Sequence, residues 1–384
     1  MKDTEHTVRY GLIGCGMMGQ EHLRNLALLD GAQVTALFEP DAGMRERARA
    51  LVPQARFVDS VQAVVAAADV DALVITSPNH CHAGQLQQIA ALRTLPVLCE
   101  KPVCTRLEDV AALRALSGPV WVAMEYRYMP PIARFVALAR EGALTGGTTL
   151  LSVREHRYPF LAKVGDWNRF SRNTGGTLVE KCCHFFDLMR LIMGADPVRL
   201  FASGAMNHNH TDECYGGETP DILDNALVVL DFPGRRRAVL ELCMFADGAR
   251  YQEEITAVGP LGKLDVRVPG PGRFWPTALL GEPPVAELVV SPRAPPGPRA
   301  EAIAVPADLL AAGDHNGSTY FQHRRFFDFV RGTGQPVEVG LTDGLKAVLI
   351  GLAAETSART GQAIDLRSGP WALSQVDGPD GVSA

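Results

Sequence analysis

The chain has no apolar run of about 20 residues, the length a helix needs to cross a bilayer. It also lacks any stretch of Lys and Arg interleaved with aromatic residues, and its formal net charge is -6. The phosphate-neutralising contacts that dominate nucleic-acid affinity therefore have no obvious source. The first ten residues are polar and carry no apolar signal-peptide core. We therefore expect a cytoplasmic protein with neither membrane nor nucleic-acid partners.

Cysteine is also scarce, with eight residues in 384 and no pair at CxxC spacing. That number is too small for a disulfide framework in a chain of this length, so reduced thiols are expected. Two clusters, His80-Cys81-His82 and the run from His208 to Asp212, would place both of their imidazoles on one side of a strand. Neither cluster has a matching second half elsewhere, and we predict no metal site.

What the chain does have is 47% hydrophobic residues over 384 positions, enough for about two domains. Its first pattern is a buried strand at Val8–Ile13, then Gly14-Cys15-Gly16-Met17-Met18-Gly19, then a helical pattern through Leu29. In a dinucleotide-binding turn the first glycine makes the tight turn and the second admits the pyrophosphate. The third lets the helix pack on the strand, and the helix N-terminus faces the phosphates.

A second strand, Gln33–Phe38, ends in Glu39, about 20 residues after the last glycine, where an acidic side chain binds ribose hydroxyls. A carboxylate there repels a 2′-phosphate, so the sequence favours NAD over NADP. Arg45 and Arg47 follow within about two turns and would soften that preference.

Strands and helices continue to alternate, which predicts a doubly wound parallel sheet. The expected elements are a helix at 61–68, a strand at 72–76, a helix at 82–92 and a strand at 96–99. Ligands of such sheets lie beyond the carboxyl ends of the strands, which here are Ser77-Pro78-Asn79-His80 and Glu100-Lys101-Pro102. The context of Pro102 suggests a cis bond that turns Lys101 inward. The alternative for Lys101 is an ion pair with Glu100.

The run from Glu180 to Asp187 carries a further chemical signal. On a helix, Glu180, His184 and Asp187 fall within a sector of roughly 60°, which places a carboxylate one turn before and one turn after an imidazole. That arrangement suits proton transfer near neutral pH. Taken alone, the same run is also typical of an amphipathic helix with a solvated polar face.

Together these motifs resemble the Gfo/Idh/MocA oxidoreductases, the glucose–fructose oxidoreductase and inositol dehydrogenase family, over nearly the whole chain. The matching segments are Gly14–Gly19, Ser77-Pro78-Asn79 with His82, Glu100-Lys101-Pro102, Tyr126-Arg127-Tyr128-Met129-Pro130, Thr174-Gly175-Gly176 leading to Glu180 and His184, and Asp343-Gly344 through Ala353-Ala354-Glu355. The predicted cofactor-binding residues are therefore Gly14, Cys15, Gly16, Met17, Met18, Gly19, Glu39, Ser77, Pro78, Asn79, His82, Glu100 and Lys101.

The resemblance implies a Rossmann domain at residues 1–127 and a second α+β domain at 128–384 with an open, mostly antiparallel sheet. Family members assemble through that sheet, which implies a homodimer or homotetramer. The residues agree, because past Pro130 the strand-like runs lose the short alternation with helices. These runs cover 148–153, 198–204, 225–232, 237–245 and 251–258, with loops or edge strands expected at 270–306 and a helix at 337–360 packing back toward the first domain.

Relatives that oxidise sugars or polyols place a lysine, an aspartate and a histidine around the reacting carbinol, which maps to Lys101, Glu180 and His184. Glu180 departs from the usual Asp, and Lys181-Cys182 replaces an apolar residue and Gly. We expect His184 to be the base, Lys101 to have a lowered pKa and to assist at the oxygen, and Glu180 to orient the imidazole or hold a hydroxyl. The predicted substrate-binding residues are Tyr126, Arg127, Tyr128, His156, Tyr158, Trp167, Arg169, Lys181 and Asp187.

Three functions remain open at this point. The first is an NAD-dependent dehydrogenase acting on a carbinol of a cyclic polyol, sugar or sugar derivative, and Arg127, Arg169 and Lys181 leave open an anionic substituent. The second is an NAD-dependent redox glycosidase that oxidises C3 transiently, with Tyr126 or Tyr128 as an additional acid or base. The third is a non-catalytic ligand sensor, against which the retained Lys101, Glu180 and His184 argue.

Overall fold

The computed structural model describes residues 7–377, and the first sheet begins almost at once. Residues 1–6, on which part of the expectation about a leader segment rests, lie outside the described chain. The first sheet has six parallel strands in the order β3-β2-β1-β4-β5-β6. The strands are β1 (Val8–Ile13), β2 (Ala32–Phe38), β3 (Arg56–Phe57), β4 (Ala72–Ile75), β5 (Val97–Cys99) and β6 (Val120–Val122).

Five helices connect these strands: α1 (Met17–Ala27), α2 (Ala42–Leu51), α3 (Val61–Val65), α4 (His82–Leu92) and α5 (Asp109–Arg114). Local sequence fixes where several of them begin. The Asp41 carboxylate accepts a hydrogen bond from the Met44 amide, and the Ser60 hydroxyl caps α3 in the same way. The predicted doubly wound parallel sheet is confirmed, with α3 three residues shorter than expected.

The second sheet has nine strands in the order β14-β13-β12-β11-β7-β10-β9-β8-β15, antiparallel except for the β7–β10 pair. The strands are β7 (Leu150–His156), β8 (Arg199–Ala205), β9 (Asn225–Phe232), β10 (Arg236–Cys243), β11 (Glu253–Gly259), β12 (Gly262–Val268), β13 (Ala286–Pro292), β14 (Arg299–Ile303) and β15 (Ile364–Asp365). The predicted open, mostly antiparallel sheet is confirmed.

The remaining helices are α6 (Pro130–Glu141), α7 (Ser171–Thr174), α8 (Thr177–Glu180), α9 (Cys183–Met193), α10 (Thr277–Leu280), α11 (Ala307–Ala312), α12 (Ser318–Val330) and α13 (Leu341–Thr360). Proline at its first position favours the start of α6, and Gly142, with a left-handed φ of 73°, ends it. No helix within residues 7–377 is both long and apolar enough to span a bilayer.

Alternation along the strands explains how the second sheet is used. In β9, Ala226, Val228 and Leu230 are buried, whereas Leu227 and Val229 between them are exposed. Period-two burial of this kind is expected when one face of a sheet packs on helices and the other is open. Helix α13 packs on β8, and α6 packs on β12 and β13.

The chain returns to the first sheet near its C-terminal end. Helix α12 packs on α1, and Phe326 of α12 contacts Tyr10 and Trp121 of the first sheet. The Val122 amide donates a hydrogen bond to the Val339 carbonyl at 2.9 Å. Helix α13 then lies between the two sheets, against β8 and α9 and, at Gly344, within van der Waals reach of Val122.

Candidate functional site

A cavity of 510 Å³ opens at the carboxyl ends of the first-sheet strands. One side, which we call the first-sheet wall, contains the glycine turn after β1 and the segments that follow β2, β4 and β5. The opposite side, which we call the second-sheet wall, contains residues 162–164, Trp167 and Glu180. This is where a doubly wound sheet is expected to hold a ligand.

Three glycines shape the first-sheet wall in different ways. Gly14 has a φ of +88°, and a Cβ there would lie 2.6 Å from the Ser77 amide nitrogen. A Cβ on Gly19 would lie 2.8 Å from the Gly14 carbonyl oxygen. A Cβ on Gly16 would meet nothing within 4 Å, so this backbone borders open space. The turn therefore leaves one segment of bare backbone, at the N-terminus of α1, for a ligand to approach.

The polar groups around this turn fit a dinucleotide. Glu39 accepts hydrogen bonds from the Cys15 amide at 2.5 Å and the Asp41 amide at 2.8 Å, and each carboxylate oxygen keeps a lone pair for a ribose hydroxyl. The side-chain nitrogen of Asn79 is buried, has no hydrogen-bond partner among residues 7–377, and belongs to a residue that borders the same cavity. Bare backbone, a ribose acceptor and an unused donor together match the needs of NAD.

Most of the predicted cofactor-binding residues border this cavity: Gly14, Gly16, Met17, Met18, Glu39, Ser77, Pro78, Asn79, Glu100 and Lys101. Cys15 and Gly19 lie in the turn behind it. His82 is fully buried, with Nδ1 against the Pro102 carbonyl at 2.7 Å and Nε2 against the Ser77 carbonyl at 2.9 Å. His82 thus links the turn after β4 to the turn after β5 and does not face the cavity. Arg47, which we expected to soften the preference for NAD, also borders the cavity.

Lys101 reaches across from the first sheet to the second-sheet wall. Its peptide bond to Pro102 is cis, and its Nζ donates to the Glu180 carbonyl oxygen at 2.9 Å. Burial disfavours the charged ammonium, but Cys183, Glu100 and Glu180 outweigh that cost and raise the pKa of Lys101 above its ordinary value. The expectation of a lowered pKa for Lys101 is wrong for the protein alone.

Glu100 does not form the alternative ion pair with Lys101. Its Oε1 lies 2.9 Å from His22 Nε2, and His22 Nδ1 lies 2.7 Å from His323 Nε2. All three groups are buried. The carboxylate beside Lys101 is thus held by a chain of two imidazoles that begins on α1 and ends on α12.

The run from Glu180 to Asp187 is not one continuous helix. Helix α8 ends at Glu180 and α9 begins at Cys183, because the Cys182 amide reaches back five residues to the Thr177 carbonyl at 3.4 Å. Asp187 is fully buried and forms a two-bond ion pair with Arg127, at 2.6 and 2.5 Å. Neither the single helix nor its solvated alternative is correct, since all of these side chains are buried.

His184 does not border the cavity, and only 2% of its surface is exposed. Its ring stacks on that of Tyr126, with centroids 4.3 Å apart and planes 9° from parallel. Its Nδ1 is buried with no hydrogen-bond partner among residues 7–377. Burial and the nearby charges of Lys101 and Lys181 hold the pKa of His184 well below its ordinary value. The imidazole is therefore neutral near pH 7, as a proton acceptor must be.

A buried polar network surrounds the hydroxyl group of Tyr126. Lys181 Nζ lies 2.6 Å from the Tyr126 hydroxyl and 2.8 Å from a Glu155 oxygen. The Tyr126 hydroxyl donates in turn to Glu253 at 3.1 Å. Burial lowers the pKa of Lys181, and burial together with Glu155 raises the pKa of Glu253 to about 7. A lysine where the family usually has an apolar residue is thus built into the support of His184.

The other predicted substrate-binding residues are placed differently. Of this set, only Trp167 borders the cavity. Ion pairs engage Arg127 with Asp187, Arg169 with Glu213 at 2.8 Å, and His156 with Glu241 at 3.0 Å. Two tyrosines make aromatic contacts, Tyr128 with Trp121 and Tyr158 with Phe274.

Two features of the site were missed from the sequence. Lys163 lies on the cavity, with its Nζ 3.4 Å from a Glu180 carboxylate oxygen and 4.6 Å from the centre of the Trp167 ring. It stands in an irregular segment after β7, where neither periodicity nor a motif marks it. The other is His315, in the loop before α12, whose ring centre lies 6.4 Å from that of Tyr126.

His315 is held between two buried carboxylates. Its Nδ1 lies 2.8 Å from Glu21, its Nε2 lies 3.7 Å from Glu125, and the three residues could together surround a metal ion. Burial disfavours its charge, but Glu125 and Glu21 raise the pKa of His315 to about 9. A protonated imidazole balanced by two carboxylates accounts for this cluster.

Comparison with known proteins identifies both halves of the chain. Residues 8–117 match the model of the oxidoreductase family's NAD-binding Rossmann fold, and residues 148–261 match that of its C-terminal alpha/beta domain, both of the GFO/IDH/MocA type. Inositol 2-dehydrogenase 2 of Saccharopolyspora erythraea is 30% identical over 273 residues, covering 68% of this chain and 74% of that protein.

Two further relatives extend the comparison. The oxidoreductase YrbE of Bacillus subtilis, itself uncharacterised, is 27% identical over 60% of this chain, and the match spans 65% of its own length. The structure of a levoglucosan dehydrogenase with NADH and levoglucosan superimposes with a TM-score of 0.76 at 20% identity, covering 94% of this chain and 99% of that one. At that identity the structural likeness establishes the fold alone.

Proposed function

Since the chain belongs to the Gfo/Idh/MocA oxidoreductase family and carries its NAD-binding Rossmann domain, we propose that it oxidises a carbinol of a cyclic polyol, sugar or sugar derivative. The observation that carries the proposal is the meeting of Lys101 and Glu180 on the NAD cavity, with a neutral His184 near enough for the charge of Lys101 to lower its pKa. The printed names of the relatives, an inositol dehydrogenase and a levoglucosan dehydrogenase, support that substrate class.

In this proposal the first-sheet wall holds the cofactor. The bare backbone at Gly16 faces the pyrophosphate, Glu39 accepts the ribose hydroxyls, and Asn79 donates its unused amide hydrogens. NAD, when bound, supplies the hydride acceptor. With Glu39 as the ribose acceptor, NAD is preferred over NADP.

The second-sheet wall and Lys101 handle the proton. His184 takes the hydroxyl proton, because its imidazole is neutral. Lys101 stays protonated and donates a hydrogen bond to the developing carbonyl oxygen. Glu180 has one buried carboxylate oxygen with no hydrogen-bond partner in the described part of the chain, and this oxygen accepts a neighbouring substrate hydroxyl.

The test uses a panel of inositols, hexoses, hexonates and aryl glycosides, followed at 340 nm for NADH. We expect His184→Ala and Lys101→Ala each to lower kcat on the preferred substrate by roughly 10²–10⁴-fold. The thermal unfolding midpoint of each variant, measured alongside, separates lost chemistry from lost folding. Turnover within a factor of a few of wild type in a folded variant would refute the assigned role.

The redox-glycosidase alternative gains no support from the two tyrosines that it needs. Tyr126 and Tyr128 are buried, and burial raises the pKa of each well above its ordinary value. The same panel separates the two activities, since a glycosidase releases aglycone from an aryl glycoside without net NADH. We propose the dehydrogenase.

We further propose that the protein forms a homodimer or homotetramer through the open face of the second sheet. Phe201, Leu227 and Val229 lie on adjacent strands of that face, with 44%, 53% and 42% of their surface exposed. An apolar patch on an otherwise solvated sheet is typical of an interface. Sedimentation of wild type and of Leu227→Lys checks this, because the charge should shift the protein toward monomer.

A further inference from the structure

The segment between β7 and α7 contributes a lysine to the second-sheet wall that the proposed chemistry does not use. Lys163 Nζ lies on the cavity, 3.4 Å from Glu180 Oε1, and 26% of its side chain is exposed. Lys101, the other ammonium on this cavity, is engaged by the Glu180 carbonyl. Two ammonium groups therefore approach the same residue, one through its backbone and the other through its side chain.

Lys163 differs from the other candidate cations in how few partners it has. Arg127 and Arg169 hold their carboxylates at 2.5–2.8 Å, and Lys181 has both Tyr126 and Glu155 within 2.8 Å. The contact from Lys163 to Glu180 is single and long, and an ammonium has three hydrogens to donate. Donor capacity therefore remains at the cavity.

The surroundings of Lys163 are short of negative charge. Burial and the nearby Lys101 lower the pKa of Lys163 even though Glu180 and Glu100 act in the opposite direction. Glu100 is already committed to His22. A ligand that brought one negative charge to this place would be stabilised by both ammonium groups.

From this geometry we propose that the substrate is a sugar acid or an acidic polyol derivative, whose carboxylate is bound by Lys163 beside the carbinol that Lys101 and His184 address. The proposal rests on the proposed dehydrogenase function and narrows its substrate class. Glu180 Oε2, for which residues 7–377 supply no hydrogen-bond partner, then accepts a hydrogen bond from a hydroxyl of the same substrate. Lys163 determines specificity and takes no part in the proton transfer.

The experiment compares acid and neutral members of matched pairs, such as glucuronate with glucose and gluconate with glucitol. For wild type we expect kcat/KM on the preferred acid to exceed that on its neutral counterpart by at least tenfold. Lys163→Met should remove that preference by raising KM for the acid about tenfold or more, with kcat changed less than threefold. Lys163→Arg, which keeps the charge, should retain most of the preference.

Two controls separate specificity from other effects. Lys263→Met removes an exposed lysine, paired with Asp265 on the second sheet away from the cavity, and should change nothing. The dissociation constant for NAD should be the same in wild type and Lys163→Met. Weaker NAD binding in Lys163→Met would assign Lys163 to the cofactor and overturn the proposal. The proposal would also be overturned if Lys163→Met lost equal kcat/KM on acid and neutral substrates, or if wild type preferred the neutral sugar.

Direct binding keeps this inference distinct from the proposed function. Calorimetric titration of the NAD-loaded protein with glucuronate and gluconate should show binding that Lys163→Met weakens at least tenfold. Such binding without NADH formation from any substrate would contradict the dehydrogenase and sustain the acid subsite. If neither acid binds in the titration and neither is turned over, the subsite is refuted.

Discussion

The two walls of the cavity achieve their properties by different physical means. The first-sheet wall is built around a glycine turn and the ends of parallel strands. The second-sheet wall is made of side chains, and behind it lies a layer of buried charge that includes Lys181, Glu155 and Glu253. The first-sheet wall depends on a turn without side chains, and the second-sheet wall depends on the ionisation of several side chains.

The difference shows where each wall is vulnerable. Backbone shape does not titrate, so the glycine turn itself should be insensitive to pH and intolerant of added atoms. Buried charges respond to one another over several ångströms in a medium of low dielectric constant. The reaction side should therefore change its pH dependence when residues that never touch the substrate are replaced.

The largest expected effect contrasts two glycines of the same turn. Gly14→Ala forces a left-handed residue and a Cβ 2.6 Å from backbone, at a cost of about 2 kcal/mol or more, so both the unfolding midpoint and NAD binding should fall. Gly16→Ala meets no protein atom and should cost the free protein only about 1 kcal/mol or less. It should still weaken NAD binding at least tenfold, because the methyl group projects where the pyrophosphate approaches.

Thermal unfolding without NAD and fluorescence titration with NAD measure these two quantities separately. If Gly16→Ala binds NAD as well as wild type, bare backbone is not what holds the cofactor, and the contrast between the walls fails.

A smaller effect is expected from Lys181→Met on the opposite wall. The Lys181 ammonium helps to depress the pKa of His184, so its removal raises that pKa. A base acts in its neutral form, and the acid limb of the kcat/KM profile should move to higher pH. Activity at pH 6 should fall roughly three- to tenfold more than activity at pH 8.

Lys181→Arg keeps the charge and should leave the profile in place. Lys181→Met removes the ammonium that lies 2.8 Å from the buried Glu155 and so destabilises that carboxylate. The double variant Lys181→Met/Glu155→Gln shows whether a general loss of folding, rather than a change at His184, lowers the activity. A loss of the same size at pH 6 and pH 8 would mean that Lys181 does not act through His184.

The smallest effect concerns stability alone. The pKa of Glu253 is raised to about 7 by burial and by Glu155, above the ordinary 4.5. Folding thus favours the protonated acid, whose contribution to stability is complete below pH 4.5 and is lost as the pH rises through 7. Glu253→Gln removes this dependence and should be more stable than wild type at pH 8, by on the order of 1 kcal/mol.

Unfolding midpoints at pH 6, 7 and 8 measure that change. Glu254→Gln is the matched control, since Glu254 is the next residue of β11 and points to the open face, where it pairs with Arg154. Parallel pH curves for wild type and Glu253→Gln would show that the carboxyl does not titrate in this range.

The same division explains what could be predicted from the sequence. Four of the six strands of the first sheet, its glycine turn and ten of the residues that border the cavity were predicted, because glycine positions and strand ends are local properties of the chain. The short strands β3 and β6 were not predicted. The strand Asn225–Phe232 of the second sheet was predicted to the residue as a strand-like run. Lys101 was placed correctly at the end of β5.

Side-chain partners across long sequence distances could not be predicted. Arg127 and Asp187 are each suitable for a ligand when considered singly, but they neutralise each other across 60 residues. Lys163 carried no signal, because its position depends on how an irregular segment crosses the cavity. Similarly, nothing in the sequence near His22 indicates that its partner is His323, 301 residues later.

That last contact has a consequence for how the protein is made. The residues that complete the first sheet's surroundings, from His315 to Val339, leave the ribosome about 200 residues after β6. At ordinary elongation rates this is a delay of roughly 10–40 s. Until then Glu100 lacks the second imidazole of its chain, Val122 lacks its carbonyl partner and α1 lacks α12. The half of the molecule synthesised first therefore cannot finish folding until most of the other half has been made, and a nascent chain that stalls before residue 315 would carry its cofactor cavity without the support of α12.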